Sequence, residues 1–316
     1  MGMIARAMQT IATLTMNPAI DVSYEVDEVF HTRKMRARSA HYDPGGGGIN
    51  VARVIARLGG AARAVYLSGG ATGAALDGLL DRHQLLRTRL SIAGDTRMST
   101  AVLEHSSGKE YRFVPPGPDV AEAEWQAVLA RLKSVECDWL VASGSLPKGV
   151  PEDFYSRVGT LMAGRGGRLV IDTSGPALKA GLAGGGVFLA KPSHGELQQL
   201  VGRELPTNDA IGAAASAIVA DGRAEAVAVT MGSRGALLAW SGGKLFLPAV
   251  PVEAKSAVGA GDSFLAAMVF VLANGGTMVE AFRHGIAGGT AAVLTPGTDL
   301  CHAADIERML ALVALP

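Results

Sequence analysis

The chain has 316 residues, and Lys+Arg and Asp+Glu balance at 29 each, so no global field draws it to nucleic acid or to an anionic membrane. Hydrophobic residues make up 48% and charged residues 18%, which excludes disorder and suits a broad buried sheet covered by helices. Aromatics are only 5%, so the core must be built from Ala, Val, Leu and Ile. Cys137 and Cys301 lie far apart without metal-ligand spacing, the pattern of a reduced, cytoplasmic protein. Residues 1–10 carry Arg6 and no long apolar run, so a secretory signal is not expected, and Met3 or Met8 serves equally well as a start. The longest apolar stretch, residues 264–273, is about half of the roughly 20 residues a membrane span takes, so no membrane partner is expected.

In chain order, β-branched apolar runs at residues 11–14, 64–67, 139–142, 169–171, 187–190 and 226–230 alternate with helical spacing at 51–58, 74–83, 122–132, 151–162, 196–201 and 210–219. That alternation predicts right-handed βαβ units, a mainly parallel sheet and helices on both faces. A short β region at 236–248 and three helices at 262–273, 279–294 and 303–312 follow. Residues 23–42 and 99–113 alternate polar and apolar without long helices, and read as a small second sheet, a lid beside the first. No linker or repeat divides the chain, so residues 1–316 are expected to form one domain with that lid.

The 41 glycines do not spell the familiar phosphate motifs. Gly108-Lys109 and Gly243-Lys244 are followed by Glu110 and Leu245, so there is no P-loop; Asn50 and Val51 stand where a dinucleotide fingerprint needs glycine. What remains is Val258-Gly259-Ala260-Gly261-Asp262-Ser263 running into an apolar helix. A helix N-terminus offers unpaired N–H groups and partial positive charge, and glycines there let an anion approach the backbone. Gly259, Ala260 and Gly261 can therefore hold a developing phosphoryl charge while Asp262 takes the proton of an attacking hydroxyl. From the residues alone, Asp262 as a plain helix cap fits equally. A second glycine turn, Asp43-Pro44-Gly45-Gly46-Gly47-Gly48-Ile49-Asn50, also enters a helix; a polyhydroxyl ligand or a crowded helix–strand crossing would each require it.

These stretches together resemble the ribokinase-like, or PfkB, carbohydrate kinases, over about residues 11–312. The first family signature corresponds to residues 44–59, and the second, D-T-x-G-A-G-D, to Ser256-Ala257-Val258-Gly259-Ala260-Gly261-Asp262, where the leading Asp-Thr is missing and the G-A-G-D core is intact. Within the family the chain is most similar to the minor bacterial type of 6-phosphofructokinase, through LTMNPAID (14–21), SGSLPKG (143–149), Lys191-Pro192 and residues 294–301. Members acting on fructose 1-phosphate or tagatose 6-phosphate usually read G-G-K-G in the glycine turn, where this chain has Gly47.

The resemblance implies a three-layer α/β/α fold with a β-sheet lid, and transfer of the ATP γ-phosphate to C1 of fructose 6-phosphate. The alternatives are a 1-phosphofructokinase or tagatose-6-phosphate kinase, and a non-catalytic sugar-phosphate sensor on the same fold. It implies that Asp21 and Asn50 bind sugar hydroxyls with Gly46 and Gly47, that Arg97 pairs with the sugar phosphate, aided by Lys34 and Arg112, and that Ser145 touches the substrate. Lys191, Ser193, Thr230, Gly232 and Gly235 fall on the ATP side, with Glu196 acting on Mg²⁺ through water. Ser256, Val258, Ala292, Thr295 and Gly297 correspond to a monovalent-cation (K⁺) site. Ser193 replaces the Asn of the family's N-x-x-E motif, and Asp299 stands where this branch tends to have arginine. A homodimer or higher homo-oligomer built lid on lid is implied. The basic run at residues 31–38 is read as part of that lid rather than as a nucleic-acid patch, the scattered histidines as surface residues, and Asp172 as a strand end left without a role.

Overall fold

The structure, a computed structural model, describes residues 9–315; the candidate start residues Met3 and Met8 lie outside them. The chain runs β1 (Ile11–Thr15), β2 (Ala19–Val26), β3 (Ser39–Gly45), α1 (Gly47–Arg57), β4 (Ala62–Gly69), α2 (Gly70–Asp81), β5 (Leu86–Ile92), β6 (Arg97–Glu104) and β7 (Glu110–Phe113). It continues through α3 (Glu122–Ser134), β8 (Trp139–Ser143), α4 (Phe154–Ala163), β9 (Arg168–Asp172), α5 (Gly175–Ala183), β10 (Val187–Ala190), α6 (His194–Val201) and α7 (Asn208–Ala220). The last elements are β11 (Ala224–Thr230), β12 (Ala236–Trp240), β13 (Gly243–Leu247), α8 (Ala260–Ala273), α9 (Met278–Val293) and α10 (Ala303–Leu310).

Among the described residues nine strands form the main sheet, in the order β13-β12-β11-β10-β9-β8-β1-β4-β5. All neighbours are parallel except β11–β12 and β12–β13. Strands buried on both faces read as continuous apolar runs, and successive residues feed opposite cores. On β8, Trp139 and Val141 pack with α1, α8 and α9, while Leu140 and Ala142 pack with α3, α4 and α7. The layers are helix, sheet, helix, as the strand–helix alternation requires.

The second sheet has the order β3-β2-β6-β7. Its strands begin at Ala19 and Arg97, earlier than the change in polarity suggested, because β2 leaves β1 after a three-residue turn with no break in apolar character. Residues 27–38 between β2 and β3 form no strand. Residues paired across the strands share a face. Asp21, Asp43, Arg97 and Arg112 fall on one face by register, and Ile20, Val22, Tyr42, Met98 and Phe113 on the other.

Two elements escaped the sequence reading. The edge strand β5, Leu-Arg-Thr-Arg-Leu-Ser-Ile, carries arginines on its solvent side and shows no apolar run. The helix α5 is a Gly- and Ala-rich segment whose start is set by Ser174 and a proline in its first turn rather than by apolar spacing.

The pair α8 and α9 fixes the height of the glycine turn 259–261. At Gly288 these helices meet almost backbone to backbone: a Cβ placed there would lie 2.7 Å from the Ser263 carbonyl oxygen and 2.9 Å from Ala267 Cβ. Gly288→Ala should push α8 outward at the residue next to Asp262. The expected result is a loss of about 1–3 kcal/mol in urea denaturation, the usual cost of overpacking, and an unchanged midpoint would show that the crossing has slack.

Candidate active site

Every candidate on the main sheet lies at the carboxyl ends of its parallel strands, where open α/β sheets place their ligands. Ser143 closes β8, Asp172 closes β9, Lys191 follows β10 and Thr230 closes β11. The turn into α8 arrives opposite them. Gly259, in the left-handed conformation (φ 70°), is the N-cap of α8, and Asp262 is the third residue of the helix. No side chain caps this helix, so the cap reading of Asp262 fails. Its carboxylate is used elsewhere: Asn50 Nδ2, on α1, donates to Asp262 Oδ2 at 2.9 Å.

Lys191 stands beside the same turn. A Cβ on Gly261 would lie 3.2 Å from Lys191 Nζ, so glycine there is what lets the ammonium and the helix N-terminus share one space. Lys191 is 5% exposed, and its Nζ is 3.0 Å from Asp172 Oδ1. Ser143 Oγ donates to the other Asp172 oxygen at 3.4 Å. Burial by itself would lower the lysine pKa, but the carboxylates of Asp172, Asp262 and Glu196 outweigh it and keep the ammonium charged. Burial raises Asp172 in spite of its lysine partner. Asp262 is pushed up to about 6, by burial first and then by Asp172 and Asp21, against the opposing pull of the Asn50 hydrogen bond and of Lys191. The site thus holds a carboxylate that titrates near neutrality beside a helix N-terminus and a fixed cation. Asp172, given no role from the sequence, belongs to it; the parallel pairing of β9 with β8 and β10 brings it to Lys191.

The polar face of the small sheet meets this site. Asp21 is raised to about 6 by burial, with Arg97 pulling it down. The Arg97 guanidinium donates to the Asn17 carbonyl at 3.0 Å and to the Pro115 carbonyl at 3.3 Å, and Asn17 Nδ2 donates to Ser145 Oγ at 3.1 Å. Arg97 and Ser145 are therefore both tied to Asn17. The glycine turn reaches them under severe crowding: a Cβ would meet Asp21 Oδ2 at 2.1 Å from Gly45, Thr15 Cγ2 at 2.7 Å from Gly46 and Ser143 Oγ at 2.1 Å from Gly47. The crowded helix–strand crossing is real, and it also delivers Asn50. Arg112 lies on β7 across the sheet, and its charge contributes to lowering Asp21. Lys34 is exposed on the 27–38 connection, which leaves β2 eight strand residues from the end that pairs with Arg97.

On the other side of the α8 turn a cleft of about 640 Å³ opens between α8, α9 and the 249–257 loop. Thr230, Gly232, Gly235, Ala260 and Gly261 form one end, and Val250, Val252, Phe264, Ile286 and Val293 form apolar walls. Gly232 and Gly235, both at positive φ, bracket a tight turn after β11. Ser193 and Glu196 form a reciprocal cap on α6: Ser193 N–H donates to Glu196 Oε2 at 2.7 Å, and Glu196 N–H donates to Ser193 Oγ at 3.3 Å. Below α8, Ser256 Oγ donates to the Gly297 carbonyl at 2.9 Å and accepts from Val258 N–H. Thr295 Oγ1 donates to the Ala292 carbonyl at 2.7 Å. Among the described residues no cluster of three or more His, Cys, Asp or Glu could hold a metal ion, and no helix is long and apolar enough to cross a membrane.

The family model for pfkB family carbohydrate kinases matches residues 12–305. The chain belongs to that family. Over 308 residues it is 44% identical to an ATP-dependent 6-phosphofructokinase isozyme 2 of Mycobacterium tuberculosis, covering 97% of this chain and 90% of that one. Solved structures of phosphofructokinase-2 from Escherichia coli, in complex with potassium, in complex with fructose-6-phosphate and in a tetrameric inhibited form, superpose with TM-scores of 0.91 to 0.92 at 38 to 39% identity, covering 96 to 97% of this chain and 99% of those chains. A 1-phosphofructokinase of Borreliella burgdorferi is 31% identical over 302 residues, 95% of this chain and 96% of that one.

The two positions that differ from the family pattern, Ser193 and Asp299, both have partners in the structure. Ser193, too short to act as an amide, serves as the N-cap of α6. Asp299 pairs at 2.8 Å with Arg57 of α1, whose guanidinium also donates to the Leu300 and Cys301 carbonyls, so loop 294–301 is closed by a cation from the helix rather than from the loop.

Asp262 also makes a stability statement. Its folded-state pKa, about 6, lies above its ordinary 3.8. Its contribution is favourable below the unfolded value and is lost as pH rises through 6, so at pH 8 the ionised carboxylate costs the fold about 2–3 kcal/mol. Asp262→Asn should therefore be the more stable protein at pH 8, with the difference vanishing near pH 4; denaturation curves across that range that stay parallel would show that the carboxyl titrates normally.

Proposed function

We propose that this kinase moves the γ-phosphoryl group of ATP to the C1 hydroxyl of fructose 6-phosphate, giving fructose 1,6-bisphosphate and ADP. One arrangement carries the reading: a half-buried carboxylate held at about 6 stands at a helix N-terminus, between a polar sheet face bearing Arg97 and an apolar cleft about 640 Å³ in volume. A phosphorylated acceptor fits the first side and a nucleoside triphosphate the second. The named activities of the relatives and the complex of the E. coli enzyme with fructose-6-phosphate support the same substrate pair.

In this mechanism Asp262 accepts the C1 hydroxyl proton as that oxygen attacks the γ-phosphorus, and the bond to the ADP oxygen breaks. The N–H groups of Gly259, Ala260 and Gly261, with Lys191, face the charge that develops on the transferring group. Asp21, Asn50 and the glycine turn with Gly46 and Gly47 hold the sugar, Arg97 takes its 6-phosphate with Lys34 and Arg112 as outlying cations, and Ser145 closes that side. Thr230, Gly232 and Gly235 line the nucleotide phosphates. Glu196, with Ser193 beside it, would hold Mg²⁺ through water rather than in an all-protein cage, and that ion would supply neutralising charge for the nucleotide phosphates. The oxygens of Ser256, Val258, Ala292, Thr295 and Gly297 are neutral, which fits a monovalent cation such as K⁺.

A fructose 1-phosphate kinase is the second reading, on the strength of the B. burgdorferi relative. Gly47 speaks against it, since a lysine there would have to displace Ser143. The small sheet acts as a lid over the sugar, and its exposed apolar face, with Tyr42, Met98 and Phe113, packs on the lid of a second copy in a cytoplasmic homo-oligomer.

A coupled ADP assay with ATP, Mg²⁺ and fructose 6-phosphate, fructose 1-phosphate or tagatose 6-phosphate tests the substrate directly. Fructose 6-phosphate should give the highest kcat/KM, and no ADP with any of them would leave only a sensor. In the same assay Asp262→Asn should lose about 10²–10⁴-fold in turnover. Arg97→Ala should raise KM for fructose 6-phosphate and leave KM for ATP nearly unchanged, because a charge-assisted phosphate contact is lost; equal rises for both substrates would place Arg97 outside the sugar pocket. Light scattering at micromolar protein should show a dimer or larger, and a strict monomer would remove the lid-on-lid interface.

A further inference from the structure

The reaction described above makes no use of Arg53, yet it is the most completely enclosed cation near the site, at 2% exposure. It lies on α1, one turn after Asn50. Its guanidinium donates to the Pro44 carbonyl at 3.0 Å, to Asp43 Oδ1 at 3.1 Å and, at a longer 3.4 Å, to Asn50 Oδ1. The other oxygen of Asp43 accepts from Thr298 Oγ1, in loop 294–301, at 2.6 Å. The other end of the Asn50 amide donates to Asp262. A continuous run of hydrogen bonds therefore joins loop 294–301 to Asp262 through Thr298, Asp43, Arg53 and Asn50.

The direction of each bond in that run is forced. Arginine can only donate, so the Asn50 group facing it must be the oxygen, and the NH₂ is left to face Asp262. Without Arg53 the amide can turn its oxygen toward a protonated Asp262, whose O–H then donates to it, so the neutral acid gains a partner that the parent denies it. A buried ion pair is a weak source of stability compared with an apolar side chain of the same volume, so the charge at this position calls for another purpose.

We infer that Arg53 is a positioning residue: its guanidinium fixes which way the Asn50 amide faces, and through that amide it holds the Asp262 carboxylate ready to accept a proton. The activity arm of this inference rests on the phosphofructokinase reading; the test below does not. Asp262 is faced by Asn50 from α1, Asp172 from β9, Lys191 after β10 and Asp21 from β2. Arg53 is faced by Asp43, Asp299 and Arg57, and its charge reaches His83 and Asp21. Losing the charge alone would thus disturb Asp21, whereas Arg53→Lys keeps the charge and loses the fork that meets three acceptors at once.

The difference in denaturant stability between the parent and Asp262→Asn, followed from pH 4 to 9, reads the proton affinity of Asp262 without any substrate. The slope of that difference against pH follows the proton on Asp262 in the folded state, and the midpoint of its fall to zero should lie near 6 in the parent. With Arg53→Lys or Arg53→Met added to both, the midpoint should rise by about one pH unit, the tenfold change expected when a hydrogen bond to a charged group is lost. With Asn50→Ala added instead, Arg53→Lys should bring no further shift. A parental midpoint in Arg53→Lys, or a shift that survives in the Asn50→Ala background, overturns the inference. If Arg53→Met does not fold, Arg53→Lys carries the comparison by itself. In the kinase assay Arg53→Lys should lower kcat by about tenfold and move the acid limb upward together with that midpoint.

Discussion

The hydrogen bond from Asn50 to Asp262, 2.9 Å long, joins residues 212 positions apart, and the site is assembled around it. It brings two helix N-termini to one point, that of α1 after the glycine turn at 45–48 and that of α8 after the turn at 259–261. Each end supplies what the other lacks. α8 contributes unpaired backbone N–H groups and the Asp262 carboxylate, and α1 contributes the donor that keeps that carboxylate from climbing further in pKa. Burial raises Asp262, and Asp172 and Asp21 raise it more. Asn50 and Lys191 oppose them, so the value of about 6 is a balance rather than a property of any one neighbour.

That balance depends on how closely the backbones approach. Glycine at 47 lets α1 start against Ser143 at the end of β8, glycine at 261 leaves room for the Lys191 ammonium, and glycine at 288 lets α9 press α8 into place. Each removes a side chain where a ligand, a charge or a carbonyl has to come near. The small sheet works by a different rule. Its side chains alternate between two faces, so the pairing that turns Asp21 and Arg97 toward the site also turns Tyr42, Met98 and Phe113 to the opposite, exposed side.

Much of this was legible in the sequence, because its strongest signals are local. Apolar runs bounded by turn residues located β1, β4, β8, β9, β10 and β11 within a residue or two, and the G-A-G-D string marked the start of α8. Signals that depend on pairing were not legible. Asp172 looks like any residue that closes a strand until β9 is set between β8 and β10, and Arg53 looks like a surface arginine on an amphipathic helix until Asp43 and loop 294–301 close over it. β5 and α5 were missed for a simpler reason: an edge strand with arginines facing solvent and a helix made of Gly and Ala have little apolar periodicity to read.

The departures from the family pattern follow the same division. Ser193 acts locally, since a serine three residues before a glutamate makes a helix cap from sequence spacing alone, and the cap holds Glu196 by its own backbone. Asp299 acts at long range. In this chain the loop carries the carboxylate and α1 carries the cation, Arg57, whose fork also takes up two loop carbonyls. Arg53, one turn earlier on the same helix, grips Asp43, and Asp43 in turn holds Thr298 of the same loop. Two successive turns of α1 are thus bound to loop 294–301 by cations on the helix side, while the first turn reaches Asp262 through Asn50. A shift of that loop is therefore transmitted along a rigid helix rather than through solvent, and it reaches the Asp262 carboxylate through Asn50, which stands 212 residues before it in sequence.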